Sequence, residues 1–188
     1  MNLRTPADGH VNGAFLITGI MASGKSTVAQ RLAERLPRAA HVRGDAFRRM
    51  VVSGRADMTP EPSPEALRQL RLRHRLAAAA ADLYAEAGFT PVVQDLVLGP
   101  DLAGFARLIR TRPLRVVVLA PDPAVVAERE RARPKTGYGG GWTPALLDDV
   151  LRRETPRLGL WLDTSLQTPE ETVAEIITRA AEAVAVKT

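Results

Sequence analysis

The stretch Gly19-Ile20-Met21-Ala22-Ser23-Gly24-Lys25-Ser26 fits G-x-x-x-x-G-K-S at every defined position, and Thr27 follows it. Glycines at that spacing let the backbone bend so that consecutive N–H groups point inward at phosphate oxygens, and a helix opening just after them adds its positive end. The predicted cradle comprises Gly19, Ala22, Ser23, Gly24, Lys25, Ser26 and Thr27. Lys25 is placed to reach the β- and γ-phosphates of a nucleotide, and the Ser26 hydroxyl to bind Mg2+. No N-K-x-D stretch is present to read guanine, so ATP is the expected nucleotide. A dinucleotide-binding turn is the competing assignment, with Asp45 at a suitable distance for a ribose. It fails because the glycines do not fit G-x-G-x-x-G and because Lys25 and Ser26 would have no role.

Three further groups carry chemistry. In "RGDAFRR", Asp45 can take a proton from an attacking hydroxyl while Arg48 or Arg49 holds the substrate. The structural alternative for Asp45 is the N-cap of a helix "AFRRMVV". In "VVQDLVLG", Asp95 stands at the end of an apolar run, the pattern of a second acidic partner for magnesium or its waters. It could equally bind a substrate hydroxyl or serve as a turn residue. In "ERERARPK", Arg129 and Arg133 are four apart, on one helical face, and run into the glycine-rich "TGYGGG". Arginines on such a cover can neutralise charge spreading over a phosphoryl group in transfer; pairing with a helix C-terminus is their structural alternative. The three histidines, His10, His41 and His74, show no metal or triad spacing and are read as structural.

Five short apolar runs are expected to be strands: residues 14–18, 39–42, 91–94, 114–120 and 158–162. Helical patterns lie between and after them, the last running over 168–185. Four helices open with a capping residue followed by proline, at Ser63, Asp122, Thr143 and Thr168, and Glu171 gives Thr168 a capping-box partner. Strands alternating with helices predict an α/β fold, a five-stranded parallel sheet with helices on both faces and a short lid. The expected organisation is one domain over 1–188, with a tail at 1–13, a substrate-facing segment at 53–75 and a lid at 131–143. The segments 53–62 and 133–142, rich in Gly, Pro and polar residues, are candidate covers over a site.

Composition bounds the alternatives. With no cysteine, disulfides, thiolate metal sites and thiol catalysis are excluded. No apolar run is long enough to span a bilayer and no signal core is evident, so a cytoplasmic location is the expectation. The net charge of +5 comes from basic residues spread along the chain. That spread, with 4% aromatic residues, argues against a nucleic-acid surface.

The cradle, "RGDAF", "QDLVLG", the arginine-bearing segment and "LDTSLQTPEETVAEI" occur in the order seen in small P-loop kinases. Over roughly residues 14–184 the chain resembles the chloramphenicol phosphotransferase-like family, within the wider shikimate, gluconate and adenylate kinase group. The resemblance implies transfer of the ATP γ-phosphate to a hydroxyl of a small molecule, an antibiotic or a sugar-like compound. It implies Asp45 as base, Asp95 nearby, Arg133 or a neighbour on the lid, and Asp163 to Ser165 near the adenine or at the strand end leading to it. Gln94-Asp95 departs from the two acidic residues that family members often carry there. Two rival functions remain open at this level: a kinase for a nucleic-acid 5′-hydroxyl, and an ATP-binding switch that hydrolyses without transfer. Oligomeric state is not readable.

Overall fold

The computed structural model describes residues 12–132 and 138–186. In chain order the elements are β1 (Ala14–Gly19), α1 (Lys25–Arg35), β2 (Ala39–Arg43), α2 (Gly44–Arg49), α3 (Pro64–Glu86), β3 (Thr90–Gln94) and α4 (Asp101–Leu108). There follow β4 (Leu114–Leu119), α5 (Pro123–Arg131), α6 (Pro144–Asp149), β5 (Leu160–Leu162), α7 (Pro169–Thr178) and β6 (Val184–Val186). A π-helical turn, Val150–Glu154, extends α6.

The strands order as β2-β3-β1-β4-β5, all parallel, as the alternation of strand and helix predicted. Burial on both sides explains why they read as continuous apolar runs. Along β1 the side chains alternate between two cores. Ala14 and Leu16 pack with Ala77, Leu102 and Phe105 of α3 and α4, whereas Phe15 and Ile17 pack with Leu32 of α1 and Ile176 of α7. Each fully buried large side chain, such as Phe15 or Ile17, is worth about 1.5–3 kcal/mol over leaving it in water.

All four predicted caps are made. Ser63, Asp122, Thr143 and Thr168 accept from the backbone N–H of Ala66, Ala124, Leu146 and Glu171, at 3.1, 2.8, 3.2 and 3.2 Å. Glu171 also returns the capping-box contact to Thr168.

Two expectations need correction. The helix read over 168–185 ends at Thr178, and Val184–Val186 forms a sixth strand, antiparallel to β4. β5 pairs only with residues 117–119 of β4, so the edge at Leu114 and Arg115 is open and takes β6. Tertiary pairing here overrides the helix preference of an alanine-rich stretch. Second, Asp45 is not a helix cap. Arg43 holds that position in α2, with no side-chain cap bond, and Asp45 sits in the first turn.

Register decides where the site lies. Gln94 pairs with both Ile17 and Arg43, which sets the ends of β1, β2 and β3 level. The cradle, Asp45 and Asp95 all begin within two residues of that line.

Candidate active site

At the carboxyl ends of the strands lies a cavity of about 690 Å³. It brings together Lys25 and Ser26 of the cradle with Asp45, Arg48 and Asp95. The remaining lining comes from α3, the loop after β3, the segment 138–142 and α6.

The cradle joins β1 to α1 in a left-handed turn. Ala22 and Gly24 have φ of +61° and +93°, conformations that turn successive N–H groups toward one side. Gly19 is required by close approach: a Cβ there would stand 2.6 Å from Leu119 O. Lys25 Nζ donates to Ile20 O at 3.0 Å, which holds the ammonium group over the loop. Ser23 is buried with its Oγ unpartnered. Ser26 and Thr27, at the start of α1, are exposed.

Asp45 enters on the first turn of α2. Arg49 Nη1 lies 3.0 Å from its Oδ2 and Arg43 Nε 3.7 Å from its Oδ1, yet Oδ1 receives no hydrogen bond. Arg49 is not among the cavity's lining residues; Arg48 is, and it forms an ion pair with Asp57 of the 53–62 segment. That segment is tied to α3 through Gln69, which accepts from Ala56 N at 2.9 Å and donates to Gly54 O at 2.8 Å.

Asp95 is wholly buried and both its oxygens are engaged. Arg73 Nε donates to Oδ2 at 2.7 Å, Arg73 Nη2 closes on Oδ1, and Leu96 N donates to Oδ1 at 2.7 Å. A Cβ at Gly44 would stand 2.0 Å from Asp95 Oδ2, so only glycine lets α2 pass this carboxylate. The loop beyond is fixed by Thr18, whose Oγ1 donates to Val97 O at 2.8 Å. Burial pushes Arg73 down to about 10, with Asp45 opposing and Arg48 assisting the shift, so the guanidinium stays charged at neutral pH.

His74, next to Arg73, also lines the cavity and stacks on Phe105 at 4.7 Å. Burial, helped by the charge of Arg73, lowers its pKa to about 4, so the imidazole is neutral near pH 7. Arg73 and His74 are the residues that sequence reasoning missed as site groups. The signal was present, because a histidine sits on the buried stripe of α3 between Ala66 and Ala77.

Residues 138–142 close on the site. Tyr138 Oη donates to Met21 O in the cradle at 2.9 Å, and Trp142 Nε1 donates to Met58 O at 3.0 Å. Arg129 does not line the cavity; its guanidinium donates to Thr164 O at 2.8 Å, within the "LDTS" turn. Asp163 in that turn accepts from Ser165, whose hydrogen bonds lower its pKa. Arg133 lies outside the described residues, as do residues 1–11 of the expected tail and 133–137 of the expected lid.

Among the described residues, no group of three or more His, Asp or Glu side chains is arranged to hold a metal ion. Ser26 is the open oxygen beside the cradle, a donor set that suits magnesium sharing its ligands with nucleotide phosphates and water. Asp95 would have to leave Arg73 to join it. No helix among the described residues is long and apolar enough to cross a membrane.

The fold is that of known small-molecule kinases. A sugar kinase from Janibacter sp. HTCC2649 superposes with a TM-score of 0.63 at 20% identity, over 94% of this chain and 99% of its own. The APS kinase of Mycobacterium tuberculosis, in complex with AMPPNP and APS, gives 0.66 at 19% identity, over 90% and 98%. The tunicamycin resistance protein of Deinococcus radiodurans gives 0.63 at 16% identity, over 93% and 99%. No curated protein matches the chain in sequence. The family model described as an AAA domain matches residues 15–148, from β1 through the cradle, Asp45 and Asp95 to α6, and the chain belongs to that family.

Proposed function

We propose that the chain is an ATP- and magnesium-dependent phosphotransferase whose acceptor is a hydroxyl of a small molecule, antibiotic or sugar-like. The observation that carries this is the single cavity holding Lys25 and Ser26 on one side and Asp45 on the other. The resemblance to the chloramphenicol phosphotransferase-like group supports it. So does the kinship in fold with a sugar kinase and a tunicamycin resistance protein.

In the proposed reaction the acceptor oxygen attacks the γ-phosphorus and the bond to the β,γ-bridging oxygen breaks. The hydroxyl proton passes to Asp45, and ADP departs. Magnesium, bound through Ser26 and the phosphates, would neutralise charge on the phosphoryl oxygens. The cradle's N–H groups and Lys25 hold the β- and γ-phosphates, and Lys25 stabilises the charge gathering on the leaving oxygen. Arg133 on the expected lid would serve the same charge. Positioning supplies most of the acceleration, because the transfer asks little covalent chemistry of the protein. Asp95 acts in this reading by holding Arg73 at the acceptor side.

Labelled ATP incubated with hydroxyl-bearing metabolites and antibiotics tests the proposal. Asp45→Ala is expected to cut transfer about 10²–10⁴-fold with nucleotide affinity kept. Undiminished turnover in that variant removes Asp45 as base. Binding of ATP with no phosphorylated product across the screen would favour a hydrolysing switch instead.

A further inference from the structure

The outer face of α3 carries an apolar stripe that no described residue covers. Leu72, Leu76, Ala79 and Leu83 follow one another at spacings of four, three and four, the seam of a helix that packs on another helix. All four are exposed, Leu72 at 46%, Leu76 at 41% and Leu83 at 65%. Ala77, Ala78 and Ala81, on the other side of the helix, are the residues that α3 buries in the chain's own core.

The two ends of the stripe differ in shape. At the Leu72 end a hollow of about 40 Å³ opens between α2 and α3, walled by Phe47, Val51, Leu72 and Leu76 among others. It has room for about three water-sized groups, the bulk of a branched side-chain tip. Met50 and Val52, the sequence neighbours of Val51, are 69% and 95% exposed. At the other end Leu83 projects, and Tyr84 beside it is held edge-on to Phe89 at 6.1 Å. Between the ends stands Ala79, small enough to let a second helix come close.

Charge divides the same way. The hollow end carries Arg68, paired with Glu65, and Arg71 and Arg75, which make no ion pair among the described residues. The projecting end carries Glu86, 3.7 Å from Arg110. A face with a hollow at one end, a projection at the other and a small residue between them is its own complement when a second copy is turned end for end. We infer that α3 is the seam of a two-fold symmetric dimer of this chain. Leu83 and Tyr84 of each copy enter the hollow between α2 and α3 of the other, and the helices cross near Ala79. The same turn brings Glu86 of each copy toward Arg68 and Arg71 of the other, whereas parallel helices would set arginine against arginine.

Sedimentation equilibrium of the full chain tests this. The protein is expected to be a dimer at about 10 μM, and Leu83→Glu, which puts a charge into the hollow twice per dimer, should weaken association about 100-fold or more. That variant should keep its affinity for a non-hydrolysable ATP analogue, which shows that it folds. Because the chain has no cysteine, single cysteines report the direction of packing. Ala79→Cys is expected to crosslink the two copies on mild oxidation. Leu83→Cys should not, since antiparallel copies hold its two thiols about 16 Å apart. A monomer up to about 100 μM overturns the inference and leaves the hollow to the acceptor or to a different protein. A dimer that Leu83→Glu leaves intact also overturns it, and crosslinking at position 83 rather than 79 overturns the antiparallel arrangement.

Discussion

The two sides of the cavity are built by opposite means. The cradle side is nine consecutive residues, Gly19 to Thr27, whose ligands are largely backbone N–H groups aimed by a left-handed turn. The facing side is assembled from side chains on α2, α3, the end of β3 and the 138–142 segment, drawn from more than ninety positions of chain, 45 to 142. Backbone groups present the same donors whatever the side chains, so the first surface suits a constant ligand. Side chains vary freely on a fixed scaffold, so the second can be changed without disturbing the first.

The largest effect that separates the two sides is expected at the Arg73–Asp95 pair. Asp95→Ala leaves a nearly buried guanidinium uncompensated and should cost about 3–5 kcal/mol in urea denaturation, with the cradle's affinity for nucleotide spared in the folded fraction. An Arg73→Leu/Asp95→Leu double variant should recover at least half of that loss. Failure to recover would mean that the carboxylate matters through Leu96 N and the loop rather than through Arg73.

A slightly smaller effect is expected from pH. An unfolded His74 takes a proton near its ordinary value of 6.5, whereas the folded side chain refuses it until about 4. Stability should therefore be full above pH 6.5 and fall by about 3 kcal/mol as pH drops to 4. Burial lowers His41 as well, and it adds in the same direction. His74→Phe should flatten most of the slope, and an unchanged slope would assign it to His41 and the carboxylates. The cradle contains no group titrating in this window, so its share of stability should not move.

The smallest expected effect concerns the contact that joins the two sides. Tyr138→Phe deletes the hydrogen bond to Met21 O and should cost about 1 kcal/mol, read as a roughly fivefold weaker hold on nucleotide in equilibrium binding. Trp142→Phe removes the bond to Met58 O without touching the cradle, so it should alter acceptor affinity alone. Equal effects of both substitutions on nucleotide binding would show that the covering segment acts as one body.

What the sequence determined by itself was local. The spacing of Gly19, Gly24, Lys25 and Ser26 prescribes a cradle because its chemistry is a backbone conformation plus two side chains within one turn. The Ser63, Asp122, Thr143 and Thr168 caps were legible for the same reason, since each acts on an amide two or three residues away. The strand alternation was enough to predict the parallel sheet. Tertiary structure alone decided the rest. It turned the end of the chain from helix to strand, because only the assembled sheet exposes the open edge of β4. It bound Asp95 to Arg73, twenty-two residues away, and brought His74 into the same cavity, since such contacts exist only once α3 lies across the strand ends. The side facing the cradle is assembled from long-range contacts, which spacing along a chain does not encode.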